Sequence, residues 1–158
     1  MLMASYEMNY LKDEYQKNVI NNAKVFAKAL SESGLNVEGD PEVSFTETHQ
    51  VIVNVGFGMG PEIAARLERN NIIVNYQATP EEGFTASGAV RMGVSEMTRF
   101  GMKEADFKKL AAIIHDIIAN DKDLRDEIKS LRSNFTQMEY CFSEKEFEPY
   151  IQKIHKLL

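Results

Sequence analysis

The sequence predicts an α+β fold, a two-layer small domain in which a three- to four-stranded sheet packs against helices. Three observations carry this. Short β-branched or apolar runs recur at Val51–Val55, Ile72–Val74 and Ala89–Met92. Helical stripes with three- and four-residue spacing lie before, between and after them. The order is helix, short strand, strand, helix, strand, strand, then helices, with no internal repeat.

The first stripe is Leu11, Tyr15, Val19, Ala23, Phe26, Ala27 and Leu30, with Gly34 as its C-terminal stop. A helix from Tyr6 to Ser33 would be about 40 Å long. It is therefore expected to overhang a domain of this size. Leu35 to Val37 reads as a short strand, and Val51 to Val55 as a buried one ending at Gly56. Gly56 to Pro61 is a turn, and Pro61 suits the first position of a helix with Ile63, Ala64 and Leu67 on its apolar face. Ile72 starts the next strand, expected over residues 72–76. A loop from Gln77 to Gly83 follows, then the strand Ala89–Met92. The helix between strands 51–55 and 72–76 allows them to be parallel and right-handed if they are neighbours, with an antiparallel arrangement as the alternative.

Three further stripes close the chain: Phe107 to Ile118, Leu124 to Phe135, and Phe147, Tyr150, Ile151, Ile154, Leu157 and Leu158. Ser143 and Glu146 have capping-box spacing. Pro149 would then sit past the first turn, which places the start of the last helix nearer Glu148. Residues 1–120 form the expected domain, with 121–158 as a helical extension packed on it.

Composition excludes several function classes. In 158 residues, 24 acidic side chains outweigh 18 basic ones, for a net charge of −6, which argues against a nucleic-acid-binding domain. A single cysteine, Cys141, excludes an internal disulfide and an all-thiolate metal site, and three scattered histidines leave little for zinc. No apolar run has the length of a membrane span and the N-terminus is no signal peptide, so a cytoplasmic protein with no membrane partner is expected.

The residues that could carry chemistry are few. Gly56, Gly58 and Gly60 follow a strand and open a helix, which invites a phosphate. Their spacing differs from the dinucleotide fingerprint, and Pro61 removes one amide, so a plain turn is the favoured reading over nucleotide binding. His49, His115 and His155 read as half-buried structural residues, and Cys141 as buried rather than reactive. Arg91 stands out. It lies between Val90 and Met92 in an apolar strand, so it faces opposite to both. Such an arginine can offer a planar fork to a carboxylate or phosphate, or join an ordinary ion pair. No metal ligand set and no catalytic residue emerges.

The segment Thr85-Ala86-Ser87-Gly88-Ala89-Val90-Arg91-Met92-Gly93, continued through Thr98-Arg99-Phe100-Gly101, resembles the C-terminal signature of serine hydroxymethyltransferases. Tyr15 to Lys24, Thr48-His49 before Val51, and Ile72-Ile73-Val74-Asn75 resemble further motifs of that family, in order, over residues 8–119. The resemblance implies the small C-terminal domain of a fold-type I pyridoxal-phosphate enzyme, one that interconverts glycine and a β-hydroxy amino acid. It implies that Arg91 binds the substrate carboxylate. It also implies that an absent large domain supplies the Schiff-base lysine and holds the pyridoxal phosphate. This chain alone is then expected to bind no cofactor and to be inactive. Its expected partners are that large domain and further copies in a homo-oligomer; a free-standing interaction or dimerisation module is the alternative. Two residues separate Gly88 from Arg91 where the family usually has one. Val94-Ser95 replaces Thr-Pro, and Phe100 stands where an arginine is common. These departures point to a divergent branch, an aldolase or transaldolase.

Overall fold

The computed structural model describes residues 2–83 and 85–156. Leu157 and Leu158, expected in the last apolar stripe, and Met1 lie outside the described residues. Helix α1 spans Leu2–Glu32. It is followed by β1 (Asn36–Val37), a one-turn 3-10 helix at Pro41–Val43, β2 (Gln50–Asn54) and α2 (Gly60–Arg69). Then come β3 (Asn75–Gln77), β4 (Ala89–Gly93), α3 (Ser95–Arg99), α4 (Glu104–Asn120), α5 (Arg125–Arg132) and α6 (Glu144–His155). The α+β expectation holds. The four strands lie in the order β1-β2-β4-β3, and every neighbouring pair is antiparallel.

The strand after α2 starts later than the sequence suggested. Asn71 takes a left-handed conformation, and the Ile72 amide still bonds back to the Leu67 carbonyl. Residues 72–74 therefore leave the helix as unpaired extended chain, with Ile73 fully outward, and the ladder begins only at Asn75. Nor are β2 and β3 neighbours. Both run antiparallel to β4, which lies between them, so they share a direction without touching. This is a split β-α-β unit.

The core lies on one sheet face. Val51 and Val53 of β2 and Val90 and Met92 of β4 are buried there. Helix α1 packs on the β1–β2 half and α2 on the β3–β4 half, while α4 packs against both helices. The Phe26 and Phe107 rings meet at 5.6 Å between α1 and α4. The stripe of α1 is buried from Val19 to Leu30. Its N-terminal half continues beyond the core, as the length argument required. There Tyr6 meets Tyr150 of α6 at 4.8 Å, and Phe142 stacks on Tyr150 at 5.4 Å. A bond from the Asn18 amide to the Tyr140 hydroxyl at 2.6 Å adds a polar tie.

The capping box at Ser143 and Glu146 forms, so α6 begins at Glu144 and not at Glu148. Pro149 is accommodated inside the helix, at the cost of one amide donor. The two Ser143 contacts to the Glu146 carboxylate, at 2.8 and 2.6 Å, outweigh that loss. No described helix is long and apolar enough to cross a membrane.

Candidate functional site

Residues directly opposite in a ladder share a sheet face. Arg91 is opposite Ile52 of β2 and Asn75 of β3. Its chain neighbours Val90 and Met92 point into the core, so Arg91, Ile52 and Asn75 lie on the other face, which no described helix covers. Arg91 is half-buried, and among the described residues its guanidinium has no hydrogen bond and no ion pair. No intrachain ion pair to Arg91 forms among the described residues. A fixed, uncommitted guanidinium on a rigid strand can receive a planar anion in a bidentate pair.

A cleft of about 830 Å³ opens on the same face. Its floor is Ile52, and Gln77, Thr79, Ser87 and Glu38 stand around it. Its wall is the loop between β3 and β4, and that loop is organised by one carboxylate. Glu82 is 6% exposed. Its Oε1 accepts the Gly58 amide at 2.9 Å, and its Oε2 accepts the amides of Thr79 at 2.9 Å and Gly88 at 2.6 Å. The Thr79 bond foremost, then those of Gly58 and Gly88, hold this carboxyl below the usual carboxylate range, against the opposing effect of burial. Sequence reasoning missed Glu82, and nothing in Pro80-Glu81-Glu82-Gly83 distinguishes the second acid from the first. It also missed that Asn75 would sit beside Arg91.

The glycine cluster forms the turn that the plain reading required. Gly56 and Gly58 have φ of 103° and 70°. The amide of Gly58 goes to Glu82, and that of Gly60 goes to the Ser87 carbonyl at 2.7 Å. The amides of all three glycines are thus engaged within the chain, Gly56 bonding the Asn54 side chain at 3.0 Å. His115 is half-buried, but His49, in the bend before β2, and His155, the last residue of α6, are exposed. Cys141 is half-buried rather than buried, in the surface loop before α6, with its thiol 3.3 Å from the Met138 carbonyl. Phe100 carries the guanidinium of Arg132 over its ring at 4.7 Å, while Arg99 pairs with Glu7 at 2.9 Å. No group of three metal-binding side chains gathers among the described residues.

A family model described as serine hydroxymethyltransferase matches residues 3–114. The serine hydroxymethyltransferase of Saccharolobus islandicus is 37% identical over 99% of this chain and 38% of its own length. That of Nitrosopumilus maritimus is 39% identical over 84% of this chain and 32% of its own. The crystal structure of L-threonine transaldolase from Pseudomonas fluorescens superposes with a TM-score of 0.82 at 29% identity, over 98% of this chain and 36% of that one. The chain spans about a third of the length of these relatives. With the motif around Arg91 in place on β4 and the family model covering most of the chain, this protein belongs to the serine hydroxymethyltransferase family and corresponds to its C-terminal part.

Proposed function

We propose that this chain is the substrate-side domain of a pyridoxal-phosphate enzyme that interconverts glycine and a β-hydroxy amino acid, and that Arg91 binds the substrate carboxylate. The observation that carries the reading is the half-buried, unpaired guanidinium of Arg91 on an uncovered sheet face. A guanidinium stays charged at any working pH and matches a carboxylate with two parallel bonds.

The residues on that face do not fit the cofactor itself. Around Arg91 stand Ile52, Asn75, Asn54 and Gln77, with no lysine among them to bond an aldehyde carbon; the acid at the cleft edge, Glu38, accepts from the Asn54 amide at 3.0 Å. Glu82 is committed to three amides. The cofactor group is therefore assigned to the remainder of a longer polypeptide or to a separate chain. The same reading takes the assembled enzyme to be a cytoplasmic homo-oligomer.

The test is a titration of the ¹⁵N-labelled chain with L-serine, read at the Arg91 Nε–Hε resonance. Serine should shift that resonance and serine methyl ester should not. Arg91→Ala should weaken binding at least about tenfold, the equivalent of one charged hydrogen-bonded pair. An unmoved Arg91 resonance, with serine perturbing some other surface, would refute the assignment. In parallel, incubation with pyridoxal phosphate followed by borohydride should modify no single lysine stoichiometrically.

A further inference from the structure

We infer that Glu82 is a positioning residue for the strand that carries Arg91. The inference rests on the reading of Arg91 just given. Three backbone segments meet at this one side chain: the β2–α2 turn through Gly58, the end of β3 through Thr79, and the entry to β4 through Gly88. Gly88 lies three residues before Arg91, so the bond that fixes its amide also fixes where β4 enters the sheet. The neighbouring contacts reinforce the same point. The Gly88 carbonyl accepts the Val55 amide at 2.8 Å, and the Ser87 carbonyl accepts the Gly60 amide at 2.7 Å. Glu82 in turn is held by its own loop, since the Thr85 hydroxyl donates to its carbonyl at 2.7 Å.

The local sequence is shaped around this carboxylate. A Cβ on Gly88 would lie 2.4 Å from Glu82 Oε1 and 2.8 Å from its Cδ. Only glycine lets the strand entry approach the carboxylate so closely. A buried anion needs such a set of donors, and a carboxylate with three amides is satisfied without a counter-charge. No lysine or arginine partner is involved, so the arrangement serves backbone placement and not an ion pair. Gln cannot replace it. Its amide keeps one acceptor and turns the other into a donor aimed at an N–H.

The experiment uses the ¹⁵N-labelled chain as wild type, Glu82→Gln and Glu82→Asp. Losing a charge-assisted bond should speed exchange of the Gly88 and Arg91 amides roughly ten- to a hundredfold through local opening. Amides of Ala27 and Ile114 in the helical core should keep their protection. The Arg91 Nε–Hε resonance should move, and L-serine should bind at least about tenfold more weakly, a change that general loosening of the fold would not confine to this site. Glu82→Asp keeps the charge on a shorter arm and should fall between the two; it decides the question if Glu82→Gln does not fold. A folded variant with wild-type Arg91 resonance and serine affinity overturns the inference and leaves the reading of Arg91 intact. A wild type in which serine never moves Arg91 overturns the reading, and the positioning role with it.

Discussion

Gly60 is the position at which a single methyl group tests the packing behind the site. It opens α2 and is buried against the entry to β4. A Cβ there would lie 2.4 Å from the Ser87 carbonyl oxygen, 2.9 Å from that of Ala89 and 3.0 Å from the Tyr76 Cβ. Two of these three are backbone atoms of the strand entry, which cannot rotate away as a side-chain tip could. Alanine gains up to about 1 kcal/mol over glycine in a helix. It also weakens the bond from the Gly60 amide to Ser87, about 1 kcal/mol in the other direction. These two offset each other. What remains is the steric cost of forcing a methyl into a filled space, about 1–3 kcal/mol. For a domain of this size, about 2 kcal/mol lowers Tm by roughly 4–8 °C. Thermal melts of Gly60→Ala and wild type by far-ultraviolet circular dichroism read this directly. An unchanged or raised Tm would show that helix propensity governs this position, and that α2 does not press on the β4 entry as described.

Asn22 and Glu82 give the remaining predictions. The Asn22 side chain is 3% exposed and its Nδ2 reaches the Thr98 hydroxyl and the Met102 carbonyl, both at 3.0 Å. Asn22→Ala should cost about 1–3 kcal/mol in chemical denaturation, since Thr98 and Met102 lose a buried donor. Asn22→Asp should cost more, because it places an acceptor where the Met102 carbonyl needs a donor. Glu82 has a folded-state pKa held below its unfolded value of about 4.3. Its contribution is therefore fully present above the unfolded pKa and lost as pH falls through the folded one. Amide exchange, corrected for its intrinsic pH dependence, should show protection at Gly58, Thr79 and Gly88 falling together below about pH 4. Independent loss at the three amides would contradict a shared acceptor.

How much could be read in advance depends on the range of the interaction. The stripe from Val19 to Leu30, the strand around Val51 and the placement of Arg91 opposite to Val90 and Met92 are local periodicities, and the structure keeps all of them. The start of β3 was missed because a β-branched run is only permissive. Asn71 in a left-handed conformation turns Ile72 back onto Leu67, and β4 offers partners only from Asn75 onward. The position of β4 between β2 and β3 depends on where the loop after β3 returns. No local pattern encodes that, yet it is what brings Asn75 and Ile52 to either side of Arg91. Pro149 pointed the wrong way for the opposite reason. A local penalty was legible, while the stronger local gain at Ser143 and Glu146 was underweighted.

The same topology explains why the site can be exact in place and yet open in chemistry. Arg91 stands on a central strand whose adjoining residues Val90 and Met92 are locked into the core, so its backbone position is set by packing that no ligand needs to create. Its guanidinium has no acid to satisfy it among the described residues, which leaves it open to the carboxylate proposed above. Glu82 is the counterpart. Its lone pairs are engaged by three amides, so its negative charge acts on the backbone. Removing those amide bonds would free a carboxylate beside the entry of the Arg91 strand. The two effects of Glu82→Gln, a looser strand and one charge fewer, then have opposite consequences for a carboxylate at Arg91. Weaker serine binding in that variant would mean that strand placement outweighs local charge, since charge removal by itself favours the carboxylate end of the zwitterion.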